Sequence, residues 1–160
     1  MIKTHTISIL VKNESGVLQR LSSLFTRRRF NIESITVGKS INEKFSRVII
    51  VTTCNDKKVV QIISQLGKMI DVLEIEYLIE NEMIALELAL VKVDMKNTDR
   101  KFILDIITRF DGSIIDERKN SIVFGIMGDT HKINYLIRSM DSNLILDFSR
   151  TGITAMSIEV

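Results

Sequence analysis

Strand and helix signals run through residues 1–80 in the order β-α-β-β-α-β and then run through residues 81–160 in the same order, which leaves few folds open. Residues 4–11 alternate polar and apolar positions and are rich in β-branched side chains, as a half-buried strand does. A KNESG turn follows. Val17, Leu18, Leu21, Leu24 and Phe25 then recur at helical spacing as far as the basic run at 27–29, whose charge complements the negative end of a helix dipole. Residues 31–37 and 45–53 read as two strands joined by the turn GKSINEK. Asn55 and Asp56 supply an N-cap for a helix marked by Val59, Ile62, Ile63, Leu66 and Ile70, and residues 71–79 alternate again.

The second half repeats the plan. Residues 84–93 read as a strand, and Phe102, Ile103, Ile106, Ile107 and Phe110 as a helical stripe that stops at Asp111 and Gly112. Residues 113–116 and 121–127 flank a short turn and predict a hairpin. Asp129 and Thr130 cap a helix with Ile133, Leu136, Ile137 and Met140 on one face. Residues 144–148 and 153–158 are strand material interrupted by SRTG. The expectation is an α+β protein of two ferredoxin-like βαββαβ domains, 1–80 and 81–160, with no Gly/Ser/Pro linker between them. Domains this small bury thin cores, and a four-stranded sheet with helices on one face leaves the other without helical cover. A homodimer is the simplest remedy.

Bulk properties remove several function classes. Hydrophobic content of 45% with 26% charged residues is that of a folded chain, and a net charge of +2 gives no electrostatic reason for nucleic acid or membrane as a partner. The lone Cys54 fits a reducing compartment, and the N-terminal stretch is too polar for a signal peptide, so the expected location is the cytoplasm. His5 and His131 are the two histidines, and neither sits at a metal-ligand spacing. No GxSxG, Walker A or GxGxxG run is present, and Gly125 and Gly128 do not form a phosphate loop without the rest of such a fingerprint. No catalytic residue and no metal ligand is therefore assigned. The fold order is also that of the RNA-recognition module, but the first strand lacks the stacking aromatics that module uses, and the third has Phe45 alone at its edge.

The segment with most chemical content is Lys12-Asn13-Glu14-Ser15-Gly16-Val17-Leu18. It leads from a strand into a helix N-terminus, where backbone N–H groups lack internal partners and attract a small anion such as the carboxylate of a free amino acid. Gly16 allows close approach to the backbone, and Asn13 offers both a donor and an acceptor. A plainer account is that Asn13 or Ser15 caps the helix and Gly16 relieves the turn, and on spacing alone that account is the stronger. Asn31, at the start of the second strand, also reads as a junction residue when taken alone.

The run NESGVLQRLSSLFTRRRFNIESITV resembles the ACT domain of acetolactate synthase small regulatory subunits, in which NESG opens the first helix and NIES the second strand. LVKV near Leu90, the Phe110-Asp-Gly-Ser-Ile-Ile-Asp116 run and SRTG at 149–152 are similar to that family's C-terminal domain, so the resemblance spans the chain. It implies a non-catalytic subunit that activates a large catalytic subunit carrying thiamine diphosphate, magnesium and FAD. It further implies feedback inhibition by branched-chain amino acids, valine foremost, bound where two ACT domains pair. The matching positions are Asn13, Ser15, Gly16 and Val17, with Asn31 from the opposite protomer. The alternative is a free-standing ACT amino-acid sensor acting on another enzyme or regulator.

Overall fold

A computed structural model describes residues 1–159, which form two compact units: residues 1–85 together with the segment that starts at Ile153, and residues 86–152. The division falls at 85/86 where the sequence pattern suggests 80/81, and the C-terminal segment returns to the first unit.

The first unit contains β1 (Ile2–Lys12), α1 (Val17–Arg27), β2 (Ser34–Lys39), β3 (Phe45–Asn55), α2 (Asp56–Leu66) and β4 (Val72–Leu78). They build an antiparallel sheet in the order β2-β3-β1-β4, with β1 paired to β3 from Ile2↔Asn55 to Lys12↔Phe45. Alternation along the central strands sends Ile7, Ile9, Val11, Val48 and Ile50 to one face. There they meet Val17, Leu21, Leu24 and Phe25 of α1 and Val59, Ile62 and Leu66 of α2 in one core. The opposite face has no helix, yet Thr6, Ser8, Ile49, Val51 and Leu78 are each no more than 4% exposed. The returning segment runs beside this sheet: the Ile153 amide donates to Ser34 Oγ of β2, and the Ile158 amide donates to the Glu82 carbonyl.

The second unit holds most of β5 (Met83–Asp94), then α3 (Arg100–Arg109), β6 (Ser113–Arg118), β7 (Ser121–Gly128), α4 (Thr130–Ser139) and β8 (Ile145–Arg150), with the sheet order β6-β7-β5-β8. The short β9 (Thr154–Ser157) pairs with β5. Asp99 and Asp129 cap α3 and α4 by accepting from Lys101 N and Lys132 N, as Asn55 caps α2 through Lys58 N. Ala89, Val91, Val93, Ile103, Ile107, Phe124, Ile126 and Ile133 form a second separate core. SRTG acquires a physical role here. The Arg150 guanidinium pairs with the buried Glu87 carboxylate, which also accepts from Thr130 Oγ1, and Thr151 exchanges hydrogen bonds with Leu88.

Helices α1 and α3 end alike. Phe30 N bonds back to Phe25 O and Gly112 N to Ile107 O, and the residue before each, Arg29 (φ +53) and Asp111 (φ +52), is left-handed. The left-handed residue at the second stop is thus Asp111, not the glycine. Gly112 is needed because a β-carbon there would meet Ile126 Cγ1 at 2.9 Å. At the first stop the αL turn delays the next strand, so β2 begins at Ser34 and Asn31 lies in the loop ahead of it, not in the strand.

Candidate functional site

The 12–17 turn is held from both sides. The Lys12 amide donates to the Asp71 carbonyl at 2.9 Å and the Asn13 amide to the Lys44 carbonyl at 2.8 Å. Asn13 Nδ2 donates to the Glu43 carbonyl at 2.9 Å, so this side chain staples the β2–β3 turn and does not cap α1, and its Oδ1 is left for another donor. Ser15 does not cap the helix either. The N-cap is Gly16, left-handed at φ +85, with no side-chain cap at all. A residue with a β-carbon is strained at that φ, which gives Gly16 a backbone reason to be glycine.

The helix start consequently keeps donors to spare. The Arg20 amide bonds to the Gly16 carbonyl at 2.9 Å, and the Val17 amide reaches Glu14 O at 3.4 Å while its side chain lies in the core at 2% exposure. Ser15, Gly16, Leu18 and Gln19 amides have no backbone acceptor among the described residues. The first turn carries no acidic side chain to fill this positive end. The Arg20 guanidinium adds charge nearby: its Nη1 stands 3.0 Å from where a β-carbon at Gly16 would be, and its Nε donates to Asp71 Oδ2 at 2.7 Å. That cation holds the Asp71 carboxyl below its ordinary range. The arrangement is suited to a small carboxylate. Among the described residues, no cluster of three or more His, Cys, Asp or Glu side chains could hold a metal ion.

Asn31 is held elsewhere. Its carbonyl accepts from Thr52 Oγ1 and its Nδ2 donates to Glu33 Oε1 at 2.6 Å, and no hydrogen bond among the described residues joins it to the 12–17 turn of the same chain. Asn13, Ser15, Gly16 and Val17 are therefore one local constellation and Asn31 is separate from it. Sequence reasoning missed Arg20 and Asp71. Arg20 lies on the polar side of α1 and reads as solvated, and Asp71 lies 51 residues away, so no local pattern marks the pair.

Strand β2 is an edge strand whose pairing to β3 is regular from Ser34↔Val51 to Lys39↔Ser46, and its Ile35 and Val37 are half-exposed. Its counterpart in the second unit, β6, is also at an edge, but it is bulged between Ile114 and Asp116 and ends in Asp116, Glu117 and Arg118. A bulge with charges protects an edge from pairing, whereas a regular strand such as β2 invites it.

Comparison with known proteins covers the whole chain. The family model of the AHAS small subunit-like ACT domain matches residues 7–74, and that of the small subunit of acetolactate synthase matches residues 86–159. The acetolactate synthase small subunit of Bacillus subtilis is 39% identical over 152 residues, covering 94% of this chain and 88% of that protein. The one from Mycolicibacterium smegmatis is 36% identical over 154 residues, covering 96% and 91%. The crystal structure of the acetolactate synthase small subunit from Thermotoga maritima superposes with a TM-score of 0.93 at 32% identity, over 99% of each chain.

Proposed function

The chain belongs to the acetolactate synthase small-subunit family, and from that premise we propose that it activates the catalytic subunit and transmits feedback inhibition by branched-chain amino acids, valine foremost. The observation that carries the effector half of this reading is the uncapped start of α1: free amides, a left-handed glycine and an adjacent guanidinium where a carboxylate would dock. The branched side chain and ammonium group of the effector then need further partners. Asn13 Oδ1 is free to accept from the ammonium, and Asn31 of a second copy would close the site.

The regular β2 edge supports that pairing, with two copies joined through their first units and two equivalent effector sites at the junction. In this reading thiamine diphosphate, magnesium and FAD belong to the catalytic subunit, and this chain works in the cytoplasm as a protein without catalysis of its own. Among the described residues no helix is long and apolar enough to cross a membrane.

Two measurements on the purified chain test the reading. Calorimetry is expected to find saturable valine binding, and light scattering a dimer at micromolar concentration. A monomer that ignores valine, leucine and isoleucine alike contradicts it.

A further inference from the structure

Asp71 touches the effector turn at both ends. It stands just before β4 and is 4% exposed. Its backbone carbonyl takes the Lys12 amide where the chain enters the turn, and its carboxylate takes Arg20 Nε where the chain leaves along α1. The guanidinium, half-exposed, then extends over Gly16, close enough that a β-carbon there would shift its Nη1 by a few tenths of an ångström. A missing side chain at position 16 thus serves the backbone conformation and the seating of Arg20 together. The Asp71 side chain is 6% exposed against 49% for Arg20, so the anion is the fixed member and the cation the one it orients.

We propose that Asp71 and Arg20 are positioning residues for the effector site, fixing the first turn of α1 against β1 so that its free amides are aimed before the ligand arrives. The inference rests on the effector reading above and adds the device that pre-organises the site. Pre-organisation raises affinity by removing the ordering cost of binding. Bulk attraction between Arg20 and the effector carboxylate makes a different forecast. If charge alone mattered, removing the Asp71 anion would tighten binding while removing the Arg20 cation would weaken it. If position matters, both changes weaken it, and the double change is no worse than either single one because the two act as one unit.

The test uses the holoenzyme reconstituted from the catalytic subunit and the full chain, with valine as the probe. Each variant's half-inhibition concentration is measured relative to its own uninhibited rate. Asp71→Asn keeps the backbone bond to Lys12 and nearly the same shape, and Arg20→Met keeps most of the stem. Each is expected to raise the half-inhibition concentration about tenfold, near one hydrogen bond's worth of affinity, with the double variant matching the singles. Arg20→Lys, which keeps the charge and loses the fork, is expected to fall between Arg20→Met and the unaltered protein and serves if Arg20→Met does not fold. Tighter valine binding by Asp71→Asn overturns the inference in favour of simple charge attraction. Unaltered valine response in folded Asp71→Asn and Arg20→Met overturns it while leaving the effector site standing, provided Asn13→Ala weakens the response. An unaltered holoenzyme that ignores valine, leucine and isoleucine removes the effector reading, and the inference falls with it.

Discussion

Replacing Gly16 separates backbone strain from charge at the proposed effector turn. At φ +85 an alanine loses roughly 1–2 kcal/mol to the left-handed conformation, and its β-carbon stands 3.0 Å from Arg20 Nη1, which must shift. For a unit of this size that loss lowers the melting temperature by about 5–15 °C. Gly16→Asp carries less of this strain, because aspartate enters the left-handed region more readily than alanine, as Asp111 does in this chain. The helix dipole returns roughly 0.3–1 kcal/mol to an acidic group at this end, so Gly16→Asp is expected to melt between Gly16→Ala and the unaltered protein. They differ in valine binding. Alanine is expected to tilt the free amides and to weaken binding by about tenfold. Aspartate also places a carboxylate where the proposed site would seat the effector's carboxylate, and forfeiting two charge-assisted hydrogen bonds there would cost roughly 3–6 kcal/mol, about a hundredfold or more in affinity. The assays are thermal unfolding followed by circular dichroism, and calorimetric titration with valine well below the melting temperature. Valine affinity unchanged in folded Gly16→Asp protein would refute the placement of the effector at the start of α1. Melting unchanged in Gly16→Ala would refute the strain argument.

Three other outcomes follow from the same structure. Asn13→Ala and Asn31→Ala should each weaken valine inhibition of the holoenzyme less than Gly16→Asp does, and calorimetry should show matching losses of affinity. Arg150→Met leaves the Glu87 carboxylate buried without its cation; since Arg150 is one-third exposed, the cost is about 2–4 kcal/mol by urea denaturation, and adding Glu87→Leu should restore most of it. Arg20 holds the Asp71 carboxyl, and Arg100 the Glu117 carboxyl, below ordinary values. The unfolded chain takes up those protons near pH ~4, so this stabilisation is complete above that range and is lost as pH falls through the lower folded values. Urea midpoints measured from pH 7 down to pH 3 should decline, and Asp71→Asn should show a shallower decline.

The β-α-β-β-α-β order was legible because β1 and β5 alternate along much of their length, β3 and β7 are short runs rich in β-branched residues between turn signals, and each helix shows a single apolar stripe. The helix caps at Asn55 and Asp129 were legible for the same local reason. What escaped were features set by distant partners. Asn13 looks like a cap, but the β2–β3 turn brings the Glu43 and Lys44 carbonyls to it, and its side chain bonds across that gap. Asp111, not Gly112, takes the left-handed position, and Gly112 instead permits close packing against Ile126. The terminal segment looks like the last strand of the second repeat, yet its Ile153 and Ile158 amides bond to Ser34 and Glu82 of the first unit. No window of local sequence contains those partners. Among the candidate site residues, the 13–17 group was singled out by the family resemblance, since its place at a strand-to-helix turn alone favours plain capping, whereas Asp71 has no sequence signal beyond being an acid at the start of a strand.

The proposed role is control of a separate enzyme. The most direct measurement is the rate of acetolactate formation from pyruvate by the purified catalytic subunit, titrated with this chain and then with valine. Expected are no acetolactate from this chain alone, a several-fold rise in rate that saturates at a fixed ratio of the two subunits, and a fall when valine is added. A folded preparation that leaves the catalytic subunit's rate unchanged at every ratio would contradict it.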